Sequence, residues 1–342
     1  MGTLKRLKLV TELIAKETCK KKNNKIKVLF IEYPEPQNLQ NFPESEIAYS
    51  STLRNRVDLA EKHKVVVCRS GSKLYDAVVV TISKSREESK ILIARGFSQL
   101  DPNGILIIEG EKKDGIDGTL RLAGNKIPVS TVVSIAHGKF GLFKVGLALK
   151  KNIFDDWLAL KLPKPNADEF VTAPGLFSYK KVDEGSLFLG KSFQGKLSGH
   201  VVDLGAGWGF LSDYALKTNC TIKSITLIEN NKAALEMAKL NVKSSNARFF
   251  WSDVSCASEL GEKYDAVICN PPFHNGKKVD FGLAFSFVSA ASRLLRKNGL
   301  LWLVANIHLP YECHIKKCFF QSDILAENGV FKIILAKGPK LD

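Results

Sequence analysis

HVVDLGAGWGFLS, residues 200–212, is an apolar, strand-like run that breaks into glycines and resumes as the apolar start of a helix. Gly205, Gly207 and Gly209 alternate after Asp203. Glycine lets a backbone turn tightly and approach a ligand with no Cβ in the way. A strand–turn–helix of this kind lies at the carboxyl end of a sheet, where α/β folds bind nucleotides. A tight turn that binds nothing looks the same, so the flanking sequence has to decide between them.

Downstream, strands and helices alternate. SITLIE (224–229) reads as a strand, and NNKAALEMAKLNV (230–242) as a helix with Ala234, Leu235, Ala238 and Val242 at helical spacing. ARFFWSDV (247–254) and YDAVICN (264–270) read as strands, and FSFVSAASRLLRKNG (285–299) as a helix ended by Gly299. LLWLVAN (300–306) and FKIILAK (331–337) complete the set of strands. Apolar strands alternating with helices predict a doubly wound α/β sheet covered on both faces.

The first half repeats part of this rhythm. LYDAVVVTISKSREESKILIARGFSQLDPNGILIIEG (74–110) parallels the stretch from KYDAVICN to VAN (263–306), with Tyr75 matching Tyr264 and Asn103 matching Asn298. Generic α/β grammar also yields this order, but YDAV and NG falling in register favour an internal duplication. Thr81, Ile82 and Ser83 stand where the second copy has Asn270, Pro271 and Pro272, and IKVLFIEYPEP (26–36) is followed by no Gly-rich turn. The chemistry is therefore expected in the second copy. TVVSIAHGKFGLFKVG (131–146) looks strand-like, and the Pro-rich LKLPKPNADEFVTAPGLFS (160–178) reads as a connection. The expected domains are 1–150 and 165–342.

Acidic residues follow the turn at successive strand ends. Glu229 ends the second strand, where a carboxylate accepts hydrogen bonds from ribose hydroxyls. Asp253 ends the third, within reach of an adenine amino group. The spacing is G-x-G-x-G rather than the dinucleotide G-x-G-x-x-G, and Asp203 precedes it. A carboxylate there repels a pyrophosphate and suits a cationic or amino-bearing ligand. Together these features favour S-adenosylmethionine over NAD.

NPPF, residues 270–273, follows the fourth strand directly. Proline donates no N–H and holds the preceding residue extended, so the ladder stops with Asn270 at its end. A planar exocyclic amine is a poor nucleophile because its lone pair is delocalised into the ring. The Asn270 side-chain oxygen and the Pro271 carbonyl are acceptors that localise that lone pair, Pro272 stiffens the loop, and Phe273 offers a stacking face. No strong general base is needed when the leaving group is a sulfonium.

The 342 residues carry a net charge of +15, which points to a polyanionic partner. Residues 1–27 hold nine Lys/Arg against Glu12 and Glu17, a basic tail that is either solvated or in contact with nucleic acid. Seven cysteines without a Cys-x-x-Cys pair fit a reducing, cytoplasmic setting. Cys313, His314 and Cys318 lack an evident fourth ligand, so no metal site is expected. No apolar run reaches the length of a membrane span, and Glu12 and Glu17 interrupt any signal-peptide core.

The combination of VVDLGAGWGFLS, YDAVICNPPFH and VANIHLPYE resembles the class I S-adenosylmethionine-dependent methyltransferases. PGLFSYKKVDEGSLFL (174–189) and NGVFKIILA (328–336) narrow the resemblance to the bacterial ribosomal RNA small-subunit guanine-N2 methyltransferases, the RsmC-like group. The likeness is good over about residues 170 to 340 and weaker before, with EGEKKDGI (109–116) its best piece there. It implies two Rossmann-like domains in tandem. The first is degenerate and expected to bind RNA, and the second is a seven-stranded catalytic domain. Asp203, Gly205, Gly207, Gly209, Glu229 and Asp253 would form the cofactor site, and Asn270, Pro271, Pro272 and Phe273 would hold the target guanine, with ribosomal RNA or a ribosomal subunit as partner. Trp208 departs from the small residue usual inside the turn, and would either contact cofactor or cover the helix start. Asn-Pro-Pro-aromatic also serves adenine-N6 and protein glutamine-N5 methyltransferases, and large-subunit RNA is a further possible substrate. A non-catalytic RNA-binding assembly factor on the same scaffold is the reading from another class.

Overall fold

The computed structural model describes residues 2–18, 25–42, 45–68, 73–146, 152–272, 274–275, 278–279 and 281–340. The chain divides into two compact units, Met1–Leu162 and Pro163–Asp342.

In the first unit, helix α1 (Gly2–Thr18) precedes β1 (Ile26–Ile31), β2 (Ser45–Ser50), α2 (Arg54–Lys62), β3 (Val66–Val67) and β4 (Tyr75–Thr81). Then come α3 (Arg86–Ser98), β5 (Leu100–Glu111), α4 (Ile116–Gly124), β6 (Thr131–Ile135), β7 (Gly138–Lys144) and the short α5 (Asp155–Leu158). The seven strands lie in the order β3-β2-β1-β4-β5-β7-β6. The strand-like stretch at 131–146 is the hairpin β6–β7, which closes this sheet antiparallel to β5. The unit runs past residue 150 to Leu162, because Phe154 and Trp157 are buried against Phe97 and its neighbours on α3.

In the second unit, the two-residue strands β8 (Lys164–Pro165) and β9 (Val171–Thr172) lead to α6 (Glu184–Phe193), β10 (Gly199–Leu204), α7 (Phe210–Thr218), β11 (Ile222–Glu229), α8 (Lys232–Asn241), β12 (Ala247–Trp251) and β13 (Tyr264–Cys269). A small pair, β14 (His274–Asn275) and β15 (Lys278–Val279), is followed by α9 (Phe281–Leu294), β16 (Leu295–Asn306), α10 (Tyr311–Cys318), β17 (Phe319–Glu327) and β18 (Phe331–Pro339). The order β12-β11-β10-β13-β16-β18-β17 is that of the first sheet, element for element. The expected end of the helix at Gly299 is corrected: α9 stops at Leu294, and Leu295–Gly299 already belong to β16.

The repeat extends to irregularities. In both units the tyrosine opening the fourth strand pairs three residues out of step with the rest, Tyr75 with Leu100 and Tyr264 with Leu295. In both, the aspartate after that tyrosine accepts a backbone N–H from the first strand, Lys27 N to Asp76 at 2.9 Å and His200 N to Asp265 at 2.8 Å. Alternate residues of the second sheet face opposite cores. Val202, Leu204, Val267 and Leu303 pack under α9 and α10. Val201, Ile268, Trp302 and Val304 pack under α6, α7 and α8. Burial on both faces is why these strands read as unbroken apolar runs.

Residues 2–18 are not the loose basic tail expected from sequence. Leu7, Val10 and Ile14 are buried in the core with Val28, Phe30 and Phe140, while Lys5, Lys8 and Lys16 stay exposed on the helix. Lys20, Lys21 and Lys22 lie outside the described residues. Arg6 is buried and donates from Nε to Glu109 at 2.9 Å, and Thr81 Oγ1 donates to the same carboxylate at 2.6 Å. Removing one partner of a buried pair leaves an uncompensated charge, at about 3–5 kcal/mol. We therefore expect Arg6→Ala to lower first-unit stability by about that amount. Amide hydrogen exchange in β5 would report it, and unaltered protection there would show that the pair contributes nothing.

Candidate active site

The site is built from the carboxyl ends of neighbouring parallel strands. β10 pairs in parallel with β11 on one side and β13 on the other, with Asp203 opposite Leu227 and Ile268. The residues that follow these strands therefore come together at one sheet edge.

Gly205, Gly207 and Gly209 all take positive φ, at 77, 56 and 92 degrees. The amides of Gly205 and Ala206 donate to the Ile228 carbonyl at 2.9 and 3.1 Å, which pins the turn against β11. Gly209 is needed for packing: a Cβ there would stand 3.2 Å from the Ala238 backbone of α8. A Cβ on Gly207 would meet nothing within 4 Å, so that residue borders open space. Its N–H donates to Glu229 Oε2 at 2.8 Å, and Asn231 N donates to Oε1 at 2.7 Å. Burial raises the Glu229 carboxyl, against the pull of these N–H groups.

Asp203 is fully buried beneath the turn. Ser212 Oγ donates to its Oδ2 at 2.7 Å, while Oδ1 has no hydrogen-bond partner among the described residues. Burial pushes its carboxyl up to about 7, with Glu229 adding to the shift. Asp253 lies two residues beyond the end of β12. Its Oδ1 accepts from Ser255 N at 2.9 Å and Ser255 Oγ at 2.6 Å, and Ser252 N donates to the Glu229 carbonyl at 3.1 Å. Trp208 is buried against Phe170 and Phe210 and donates from its indole to the Phe177 carbonyl at 2.8 Å, so its ring covers the helix start.

Asn270 follows the last residue of β13. Its Nδ2 donates to Asp183 Oδ2 at 3.0 Å and to Ser186 Oγ at 2.8 Å. Asp183 is the N-cap of α6 and accepts from Ser186 N at 2.9 Å. Pro271 is buried, Pro272 is exposed, and Phe273 lies outside the described residues. The reading of the sequence missed Asp183. Its signal was a capping aspartate just before the apolar run LFLG. No metal-binding cluster of His, Cys, Asp or Glu occurs among the described residues. His314 stacks on Phe285 at 4.6 Å and pairs with Ser289 Oγ at 2.9 Å.

These residues fit a cationic, ribose-bearing ligand. The turn leaves open space at Gly207, an acid sits at the end of β11, and Asp203 holds an oxygen without a partner among the described residues.

Seven strands in this order, with a Gly-rich turn after the first and an Asn-Pro-Pro loop after the fourth, define a Rossmann-like methyltransferase. The family model described as the methyltransferase small domain matches residues 167–335. Ribosomal RNA small subunit methyltransferase C of Psychromonas ingrahamii is 30% identical over 302 residues, covering 87% of this chain and 85% of the relative. The protein of that name from Shewanella amazonensis is 31% identical over 274 residues, covering 78% of this chain and 79% of its own. The chain belongs to the ribosomal RNA small subunit methyltransferase C family. In fold it is similar to the T. thermophilus 16S rRNA N2 G1207 methyltransferase (RsmC), solved in complex with AdoMet and guanosine. The TM-score is 0.77 at 20% identity, over 96% of this chain and 91% of that one.

The buried carboxyl of Asp203 has a consequence for stability. Its folded value of about 7 lies above the unfolded one, so the neutral acid is what the fold favours. Its contribution is fully present below about pH 4 and is lost as pH rises through about 7. Chemical unfolding of second-unit probes between pH 5 and 8 should show stability falling with pH, and the slope should flatten in Asp203→Asn. Equal slopes in the two proteins would remove this assignment.

Proposed function

We propose that the chain transfers a methyl group from S-adenosylmethionine to the exocyclic N2 amine of a guanine in small-subunit ribosomal RNA. The observation that carries this reading is the Asn270 amide. Its nitrogen is taken up by Asp183 and Ser186, which leaves Oδ1 as the end available to accept from a substrate amine. It stands on the sheet edge that also carries the Gly-rich turn and Glu229.

The turn at Gly205, Gly207 and Gly209, with Asp203, Glu229 and Asp253, would hold the cofactor. The bound cofactor supplies an electrophilic methyl group on a sulfonium. Asn270 Oδ1 and the Pro271 carbonyl accept the two N–H groups of the guanine amine and direct its lone pair outward. Pro272 stiffens the loop, and Phe273 stacks on the base. The amine proton departs to solvent once the new N–C bond has formed, so no strong base is required. The ring must be unstacked to reach this edge unless it is already unpaired.

The second unit alone is the proposed cofactor domain. At the place of Gly205 in the paired strands, the first unit has Glu32, also at positive φ. The Glu32 carboxylate accepts from Ser51 Oγ at 2.7 Å, Thr52 N at 2.6 Å and Arg56 Nη1 at 3.2 Å, so this turn is closed by its own side chain. The first unit, with the protein's net charge of +15, is the proposed source of affinity for ribosomal RNA or a ribosomal subunit, and the cytoplasm the proposed compartment.

Two measurements test the site. In Glu229→Ala, loss of hydrogen bonds to a charged acceptor should weaken S-adenosylmethionine by roughly 1.5–3 kcal/mol in calorimetric titration. An unchanged dissociation constant would remove Glu229 from the cofactor site. In Asn270→Ala, single-turnover methyl transfer at saturating cofactor should fall by about 10²–10³, with cofactor affinity retained. Full activity there would refute the role given to the Asn-Pro-Pro loop.

A further inference from the structure

We infer that Asp183 is a positioning residue for methyl transfer: its carboxylate decides which end of the Asn270 amide faces the target amine. The inference rests on the role proposed above for Asn270. A side-chain amide has a donor end and an acceptor end of nearly the same shape. Only the acceptor end serves the proposed chemistry. An NH₂ group turned toward the target amine would oppose donor to donor and localise no lone pair. Asn270 sits after a strand end and before two prolines, and nothing in its own backbone chooses between the two orientations.

The choice is made 87 residues away in sequence. Asn270 Nδ2 lies 3.0 Å from Asp183 Oδ2 and 2.8 Å from Ser186 Oγ. An ionised carboxylate accepts and never donates, so a flipped amide would set its oxygen against Asp183 Oδ2, acceptor to acceptor. Ser186 can donate or accept, so it holds either orientation and does not discriminate. The carboxylate is itself fixed. Asp183 Oδ2 caps α6 through Ser186 N at 2.9 Å, and Leu189 and Phe193 anchor that helix in the core with Trp302 and Ile333. The acceptor on Asn270 is thus set by packed elements rather than by its loop.

The first unit uses the same place in the fold for the opposite sign. There the helix preceding the first strand is α1, and its Arg6 guanidinium pairs with Glu109, which accepts from Thr81, the counterpart of Asn270. A guanidinium only donates. Such a group in place of Asp183 would attract Asn270 Oδ1 and turn the amide the wrong way. In both units the helix before the first strand thus brings a charged group to the end of the fourth strand, directly to Asn270 in the second and only through Glu109 to Thr81 in the first, and only the carboxylate holds an amide nitrogen.

Asp183→Asn isolates this role, because asparagine caps a helix about as well as aspartate but lets the Asn270 amide flip. Relative to wild type, melting temperature and S-adenosylmethionine dissociation constant should stay unchanged. Single-turnover transfer to the RNA substrate should fall by about 10–10², as a loss in kcat rather than a rise in KM. Ser186→Ala should cost less. In an Asn270→Ala background, Asp183→Asn should cause no further loss, since it acts through that amide. In cofactor-free protein, the side-chain amide NMR signal that vanishes in Asn270→Ala should shift in Asp183→Asn. Asp183→Ser, which also caps, provides a second variant with the same expected loss should the first not fold. Wild-type rates in Asp183→Asn beside an impaired Asn270→Ala would overturn the inference and leave the Asn270 reading standing. Multiplicative losses in the double variant would also overturn it, because Asp183 would then act elsewhere. Full activity in Asn270→Ala would instead overturn the reading on which the inference rests.

Discussion

The parallel pairing of β10 with a neighbour on each side is the constraint on which the rest of the second unit depends. Parallel strands point their carboxyl ends the same way, and the helices that reconnect them cover the two faces. The loops after β10, β11 and β13 are thereby delivered to one edge without further design. The Gly-rich turn, Glu229 and Asn270 are neighbours for that reason alone. Pinning of the turn to the Ile228 carbonyl then ties its shape to the register of β11.

The two units show how little of this scaffold carries chemistry. They share strand order, an out-of-step tyrosine and an aspartate that binds a first-strand amide. They part where the strands end. The second unit has an open glycine turn over a buried acid, where the first has Phe30 in the strand and Glu32 folded back on Ser51, Thr52 and Arg56. Where the fourth strand ends, one unit has an amide held by a carboxylate and the other a hydroxyl that donates to the carboxylate of a buried ion pair. The first arrangement leaves polar groups to be satisfied by a ligand, and the second satisfies its own.

Much of this was legible in the chain. β10, β11, β13, β16 and β18 are buried on both faces and read as apolar runs, and the turn and the acids announce themselves by spacing. β17 did not. FFQSDILAE is an edge strand exposed on both faces apart from its first residue and a few half-buried ones, so it carries neither an apolar run nor a clean alternation. The hairpin β6–β7 was seen as strands but not assigned to a sheet, because pairing with β5 is a long-range choice. Residues 1–27 read as basic and therefore as a tail. Charge outweighed the helical spacing of Leu7, Val10 and Ile14, which is what places α1 in the core.

The sequence by itself determined the elements, the glycine turn and the polar residues at strand ends, because periodicity, turn chemistry and strand termination are local properties of the chain. Tertiary structure decided what those residues can do. It buried Asp203 completely and thereby raised its carboxyl toward neutrality, with one of its oxygens lacking a partner among the described residues. It also brought Asp183 to Asn270 across 87 residues and Arg6 to Glu109 across 103. A side chain's protonation and the direction of an amide depend on which groups lie beside it, and that is set only when distant loops are packed against the same sheet edge.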